Sequence, residues 1–262
     1  MKAFLIITLL VSVAISQNPV LSFDCASIPE VCTNMCWGVH CTSGTFSGTL
    51  TADPGASSSV KAARRRAAGC LPSPNQCSNT AAGPNQGQGL NCDEFPFAST
   101  READQGGQNI RCVPTTQNSQ QGGTINGFYR STGIAAGTAF DLAFLTPTAA
   151  RYCVNQAPAG GGAVCGNDGK IFNKNVLAPD AAAWTPRSKR VEAITPMYLY
   201  ETERGEQVSS ASLFEVGREL WKFVPRNDTL GKISFAARSA DMGGDDDLDL
   251  ELVVDRVLKR LE

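Results

Sequence analysis

The chain has 262 residues, ten cysteines, one histidine and a formal net charge of −2, from 23 Lys/Arg and 25 Asp/Glu. An even cysteine count, no CxxC pair and a lone imidazole argue against a zinc framework. They favour up to five disulfides among Cys25, Cys32, Cys36, Cys41, Cys70, Cys77, Cys92, Cys112, Cys153 and Cys165, whose pairing the sequence leaves open. Gly, Ser, Thr, Asn and Gln crowd the first two-thirds, which disfavours long helices there.

Residues 1–16 carry Lys2, an apolar run from Ala3 to Val11 and a small-x-small ending at Ala14-Ile15-Ser16, the pattern of a secretory signal peptide. The run is too short to cross a bilayer, and no other stretch approaches a membrane span. The mature chain is therefore expected to be extracellular. Residues 17–59 form a Cys-rich lead-in. Its His40, the sole histidine, reads as structural in so Cys-dense a segment, with catalysis or metal ligation as the alternative.

Val60 to Ala68 has helix-forming residues and the cluster Arg64, Arg65 and Arg66, readable as a phosphate-gripping patch, a processing site or a solvated face. Cys70 and Cys77 bound a Pro-containing loop that neighbouring cysteines can close. Ile125 to Ser131 begins a short helix or turn, and Ala139 to Leu145 has the length and bulk of a strand. Cys153 and Cys165 flank a Gly-rich loop and are candidates to pair with one another. Lys189-Arg190 is a dibasic pair where the charge changes sign. From Lys61 to Arg190 there are 13 Lys/Arg against 7 Asp/Glu, and from Val191 to Glu262 there are 9 against 15.

A basic middle suits a polyanion, and an acidic end does not. In that end, PMYLYETE reads as a strand and SASLFEVGRELWKFV as an amphipathic helix or strand pair. Asn227-Asp228-Thr229 is an N-glycosylation acceptor pattern. Asp245 to Asp247 sit before an apolar-periodic segment (Leu248, Leu250, Leu252, Val253, Val257, Leu258, Leu261) that predicts a C-terminal helix. The aspartate triplet lacks the spacing of a calcium loop.

The chemistry concentrates between Asn91 and Gly123. Asp93 and Glu94 are adjacent, so on an extended segment they point to opposite sides, while in a turn both reach one cleft. Phe95-Pro96-Phe97 would dock the segment on a core, and carboxylates beside an apolar wall demand a cation, an arginine or a metal. Glu102, Asn118 and Gln121 add oxygens, in a set with few imidazoles that suits Mg²⁺ or Mn²⁺ better than zinc. A salt-bridged loop with Arg101 or Arg111 accounts for the same carboxylates equally well.

Asp93-Glu94-Phe95-Pro96-Phe97-Ala98, then Glu102, Gly106-Gly107, Arg111-Cys112-Val113-Pro114 and Asn118 through Gly123 resemble, in order and spacing, the NucA/NucB-type deoxyribonuclease domain. Five blocks at matching spacing are specific where a lone Asp-Glu pair is not. The resemblance implies a small α+β, metal-dependent nuclease that cuts DNA internally, with an acid replacing the histidine base of related folds. It implies Asp93 as general base, Glu94, Glu102 and Asn118 as ligands of Mg²⁺ or Mn²⁺ or their supports, and Arg111 and Gln121 as phosphate contacts. The expected organisation is a signal peptide at 1–16, a lead-in at 17–59, the nuclease domain at 60–190 and an acidic extension at 191–262. That extension is an accessory subdomain, or an intramolecular mask of the DNA site released by cleavage at Lys189-Arg190. A disulfide-rich secreted binding or effector protein on the same fold is the alternative to an enzyme.

Overall fold

The computed structural model describes residues 18–42, 46–78, 90–155, 164–174, 176–177, 195–225 and 250–261. The expected signal peptide, Lys189-Arg190, Asn227 and Asp245 to Asp247 lie outside them.

The lead-in begins with strand β1 (Val20–Asp24) and helix α1 (Pro29–Cys36), which opens on a proline and runs into a π-helical turn over Trp37–Cys41. After β2 (Thr49–Thr51) comes α2 (Ser58–Ala68), the helix expected at the arginine cluster, with Ser57 Oγ accepting from the Val60 N–H at its start. Then β3 (Leu90–Phe95), a 3-10 turn (Arg101–Gln105) and β4 (Asn109–Pro114) form a hairpin, followed by α3 (Thr115–Thr132) and β5 (Ala139–Leu145). The remaining strands are β6 (Ile171–Asn173), β7 (Val176–Leu177), β8 (Tyr198–Thr202), β9 (Gln207–Ser210), β10 (Glu219–Pro225) and β11 (Leu250–Arg260).

These strands make two sheets. One runs β1-β10-β11-β8-β9-β5 and closes through a parallel β5–β1 pairing into a six-stranded barrel, with β2 added against the start of β5. The other is antiparallel, in the order β3-β4-β6-β7. The fold is thus mixed helix and strand, as expected of an α+β protein, but richer in strands, and it contains a barrel that the sequence pattern does not announce.

Side-chain alternation sorts the apolar residues into separate cores. Val20, Ala143, Leu145, Tyr200, Val208, Leu220 and Val257 make one cluster, on one face of the barrel strands. Leu21, Phe23, Phe140, Leu142 and Phe144, on the other face, pack with Val31 and Met35 of α1, Ile125 and Phe128 of α3, and Phe95 and Phe97 of the hairpin. Each fully buried Phe or Leu there contributes about 1.5–3 kcal/mol. Gly38 permits this closeness, since a Cβ there would collide with the Phe95 ring and stand 2.7 Å from Asn109 Oδ1.

Five disulfides form, with no free cysteine among the described residues. Cys153 and Cys165 do not pair with one another. Cys36–Cys153 and Cys41–Cys165 instead tie α1 and its π-helical turn to both ends of that loop, while Cys25–Cys32 closes the start of α1. Cys70 and Cys77 likewise do not close their loop on one another: Cys70–Cys92 and Cys77–Cys112 clamp the Pro-containing loop onto the hairpin.

Two other expectations are corrected. Asn118 to Gly123 lies within α3, an 18-residue helix in a stretch where long helices are disfavoured, because packing of α3 on the core outweighs its poor glycine propensity. The C-terminal segment is the strand β11, not a helix. Leu248, Leu250 and Leu252 fit a period of two as well as 3.6, and antiparallel neighbours on both sides settle the choice. Of SASLFEVGRELWKFV, only the end is regular, within β10.

Candidate active site

The hairpin presents two faces. Cys92, Glu94, Ile110, Cys112 and Phe172 share the face covered by the end of α2 and the Cys70–Cys77 loop. Asp93, Phe95, Asn109, Arg111 and Ile171 share the other, toward α1 and α3. The adjacent carboxylates are therefore separated by the pleat.

Asp93 is 1% exposed. Asn34 Nδ2, from α1, donates to Asp93 Oδ2 at 2.9 Å and to the Asp93 carbonyl at 3.1 Å. Burial pushes the Asp93 carboxyl up to about 8, and the neighbouring Glu94 adds to the rise. Asn34, Gln121 and the charge of Arg111 oppose it. Gln121 is buried on α3, and its Nε2 lacks a partner with hydrogen-bond geometry although it stands close enough to Asp93 to favour the carboxylate. Asn118 lies one turn earlier, at the i−3 position that shares a helix face with Gln121, and is half-buried.

Arg111 stands directly across from Asp93, but its guanidinium is committed elsewhere. Its Nε and Nη2 meet Glu30 Oε2 at 2.7 and 2.5 Å, and Nη1 and Nη2 meet Asp168 at 3.0 and 2.9 Å. The group is 2% exposed. Tyr152 holds the Asp168 loop, its hydroxyl donating to the Gly166 carbonyl and accepting from the Asp168 N–H.

On the opposite face Glu94 pairs with Arg65 at 3.4 Å, and burial raises its carboxyl while Arg65 opposes the rise. Glu102 receives the Thr51 N–H at 2.9 and 3.0 Å, tying the 3-10 turn to β2. Of the arginine cluster, Arg64 is buried between Asp53 and Asp104 and donates to the Ala98 carbonyl, a structural use.

Asp93, Gln121 and Arg111 are thus gathered, with Asn118 on their helix face, whereas Glu94 and Glu102 face other partners. The trio Glu94, Glu102 and Asn118 does not converge, so as placed it does not fit a shared Mg²⁺ or Mn²⁺. His40, Cys41 and Cys165 are close enough to hold an ion among the described residues. However, both sulfurs are consumed by their disulfide, and His40 is buried with Nδ1 on the Thr195 carbonyl. Glu30, Asn34 and Asp168 escaped the sequence reading because no spacing ties them to the central motif. The Asn167-Asp168-Gly169 turn was their one local signal.

A buried acid on a hairpin, braced by two helices and surrounded by amides, is thus the centre of the candidate site on a mixed helix-and-strand scaffold. Residues 35–143 match the family model for Deoxyribonuclease NucA/NucB, so that segment is similar to a domain of that deoxyribonuclease family. No curated protein matches the chain. Five disulfides fit an extracellular setting, and no helix among the described residues is long and apolar enough to cross a membrane.

Proposed function

We propose that the chain is a secreted, metal-dependent endodeoxyribonuclease in which Asp93 is the general base. The supporting observation is the burial of Asp93 within the segment matched by the family, which raises its affinity for a proton. Asp93 takes a proton from water, the water oxygen attacks the phosphorus, and the bond to the leaving sugar oxygen breaks as that oxygen gains a proton from solvent. Asn118 and Gln121 orient water or phosphate from α3. Arg111 acts through its charge on Asp93 and not as a free phosphate clamp, since Glu30 and Asp168 occupy its fork. Dependence on Mg²⁺ or Mn²⁺ is supported by the match to the deoxyribonuclease family alone, since Glu94, Glu102 and Asn118 do not converge on one ion. The proton transfer itself needs only Asp93 and water.

Plasmid nicking by the full chain, with Mg²⁺, with Mn²⁺ and with a chelator, tests this. Wild type should nick with metal, and Asp93→Ala should lose about 10²–10⁴-fold. Folded wild type that nicks under neither metal would point to the binding or effector reading instead.

A further inference from the structure

We propose that Asn34, on the lead-in helix α1 and just outside the matched segment, is a positioning residue that fixes the Asp93 carboxylate for catalysis. The inference rests on the reading of Asp93 as the base. Asn34 is fully buried. Its amide nitrogen lies between two acceptors, the Asp93 carbonyl and Asp93 Oδ2, so it must be the donor end of the side chain. Its Oδ1 accepts from Asn109 Nδ2 at 2.7 Å, and the same Nδ2 donates to the Asn34 carbonyl at 2.9 Å. The amide therefore bridges β3 to β4 and holds one rotamer of Asp93 relative to its own backbone.

Chemistry selects this residue type. Two acceptors on one residue need two N–H groups from one atom, which serine cannot supply and aspartate lacks, while a second acceptor end must face Asn109. Helix α1 is immobilised for the purpose by Cys25–Cys32 near its start and Cys36–Cys153 at its end, so the lead-in delivers its amide at a fixed distance. With Asp93 Oδ2 held in one orientation, small losses of alignment at a reacting group cost disproportionately in rate.

The test uses the oxidised full chain, measuring kcat and KM for nicking of duplex DNA at saturating metal, with unfolding monitored in parallel. Asn34→Ala removes both donors. Asn34→Asp keeps the size and the contact with Asn109 but presents an acceptor to Asp93. Both variants, where folded, should lose about 10–100-fold in kcat with KM within about twofold of wild type. A positioning role further requires that Asn34→Asp add no loss on the Asp93→Ala background, where a structural role would still lower residual activity.

Wild-type kcat in a folded Asn34 variant, a loss confined to KM, or failure of both variants to fold overturns the inference. If Asp93→Ala is inactive while the Asn34 variants are not, only the role of Asn34 is lost. If Asp93→Ala keeps its activity, the assignment of the base fails and this inference with it.

Discussion

At Asp93, burial lifts the carboxyl from its ordinary 3.8 to about 8, so the folded protein holds a proton there that the unfolded chain releases. Between those values the folded state binds more protons, and stability falls as pH rises from about 4 to about 8. Glu94, also raised by burial, adds a loss of the same sign. A tenfold change in proton affinity corresponds to about 1.4 kcal/mol, so Asp93 costs on the order of a few kcal/mol at alkaline pH. Asp93→Asn should flatten this slope, with thermal unfolding at pH 5 and pH 8.5 differing less in the variant than in wild type. Equal slopes would mean that Asp93 is not the proton-holding group. A base must be ionised to act, so nicking is expected to rise with pH through about 8, where the group becomes least stabilising.

Helix α3 bears Asn118 and Gln121 on a segment of poor intrinsic helicity. Gly122 has no heavy atom within 4 Å of the place a Cβ would occupy, whereas at Gly127 that Cβ would stand 2.9 Å from the ring of Phe223 on β10. One residue type in one helix therefore has opposite expected effects. Gly122→Ala should gain about 1 kcal/mol of stability from propensity. Gly127→Val should lose about 1–3 kcal/mol by driving α3 off the barrel. Denaturant titrations of both variants check the pair, and a stabilised Gly127→Val would contradict the close seating of helix on strand.

This helix also marks what the sequence makes legible. The apolar length of Ala139 to Leu145, the helix formers around Arg64 and the motif at Asp93 announce β5, α2 and the centre of the site. Gln117 to Gly123 is composed of residues of poor helical propensity and becomes helix only through contacts made far along the chain. β11 likewise satisfies two periods until β8 and β10 flank it. Asn34 and Glu30 reach the candidate site through tertiary folding alone, and only the Asn167-Asp168-Gly169 turn gives Asp168 a local sign.

The closed barrel bears on the acidic C-terminal region. Strands β8 to β11 supply four of its six staves, and β10 pairs with β1 from the opposite end of the chain. Termination after Arg190 removes Tyr200, Val208, Leu220 and Val257 from one core and Phe223 from beneath α3. The truncated chain is expected to lose cooperative unfolding and to nick no faster than the full chain. A folded fragment with higher activity would establish masking instead.

The register that sets Leu21 against Trp221 also orders events at synthesis. β1 must wait for some 200 residues before its neighbour exists, with one edge open meanwhile. Over the same interval Cys36 and Cys41 emerge together, while their proper partners, Cys153 and Cys165, are more than a hundred positions behind. Early oxidation favours the nearby, wrong pairing. Maturation in the cell is thus governed less by how fast thiols are oxidised than by how readily a premature bond can be undone and exchanged.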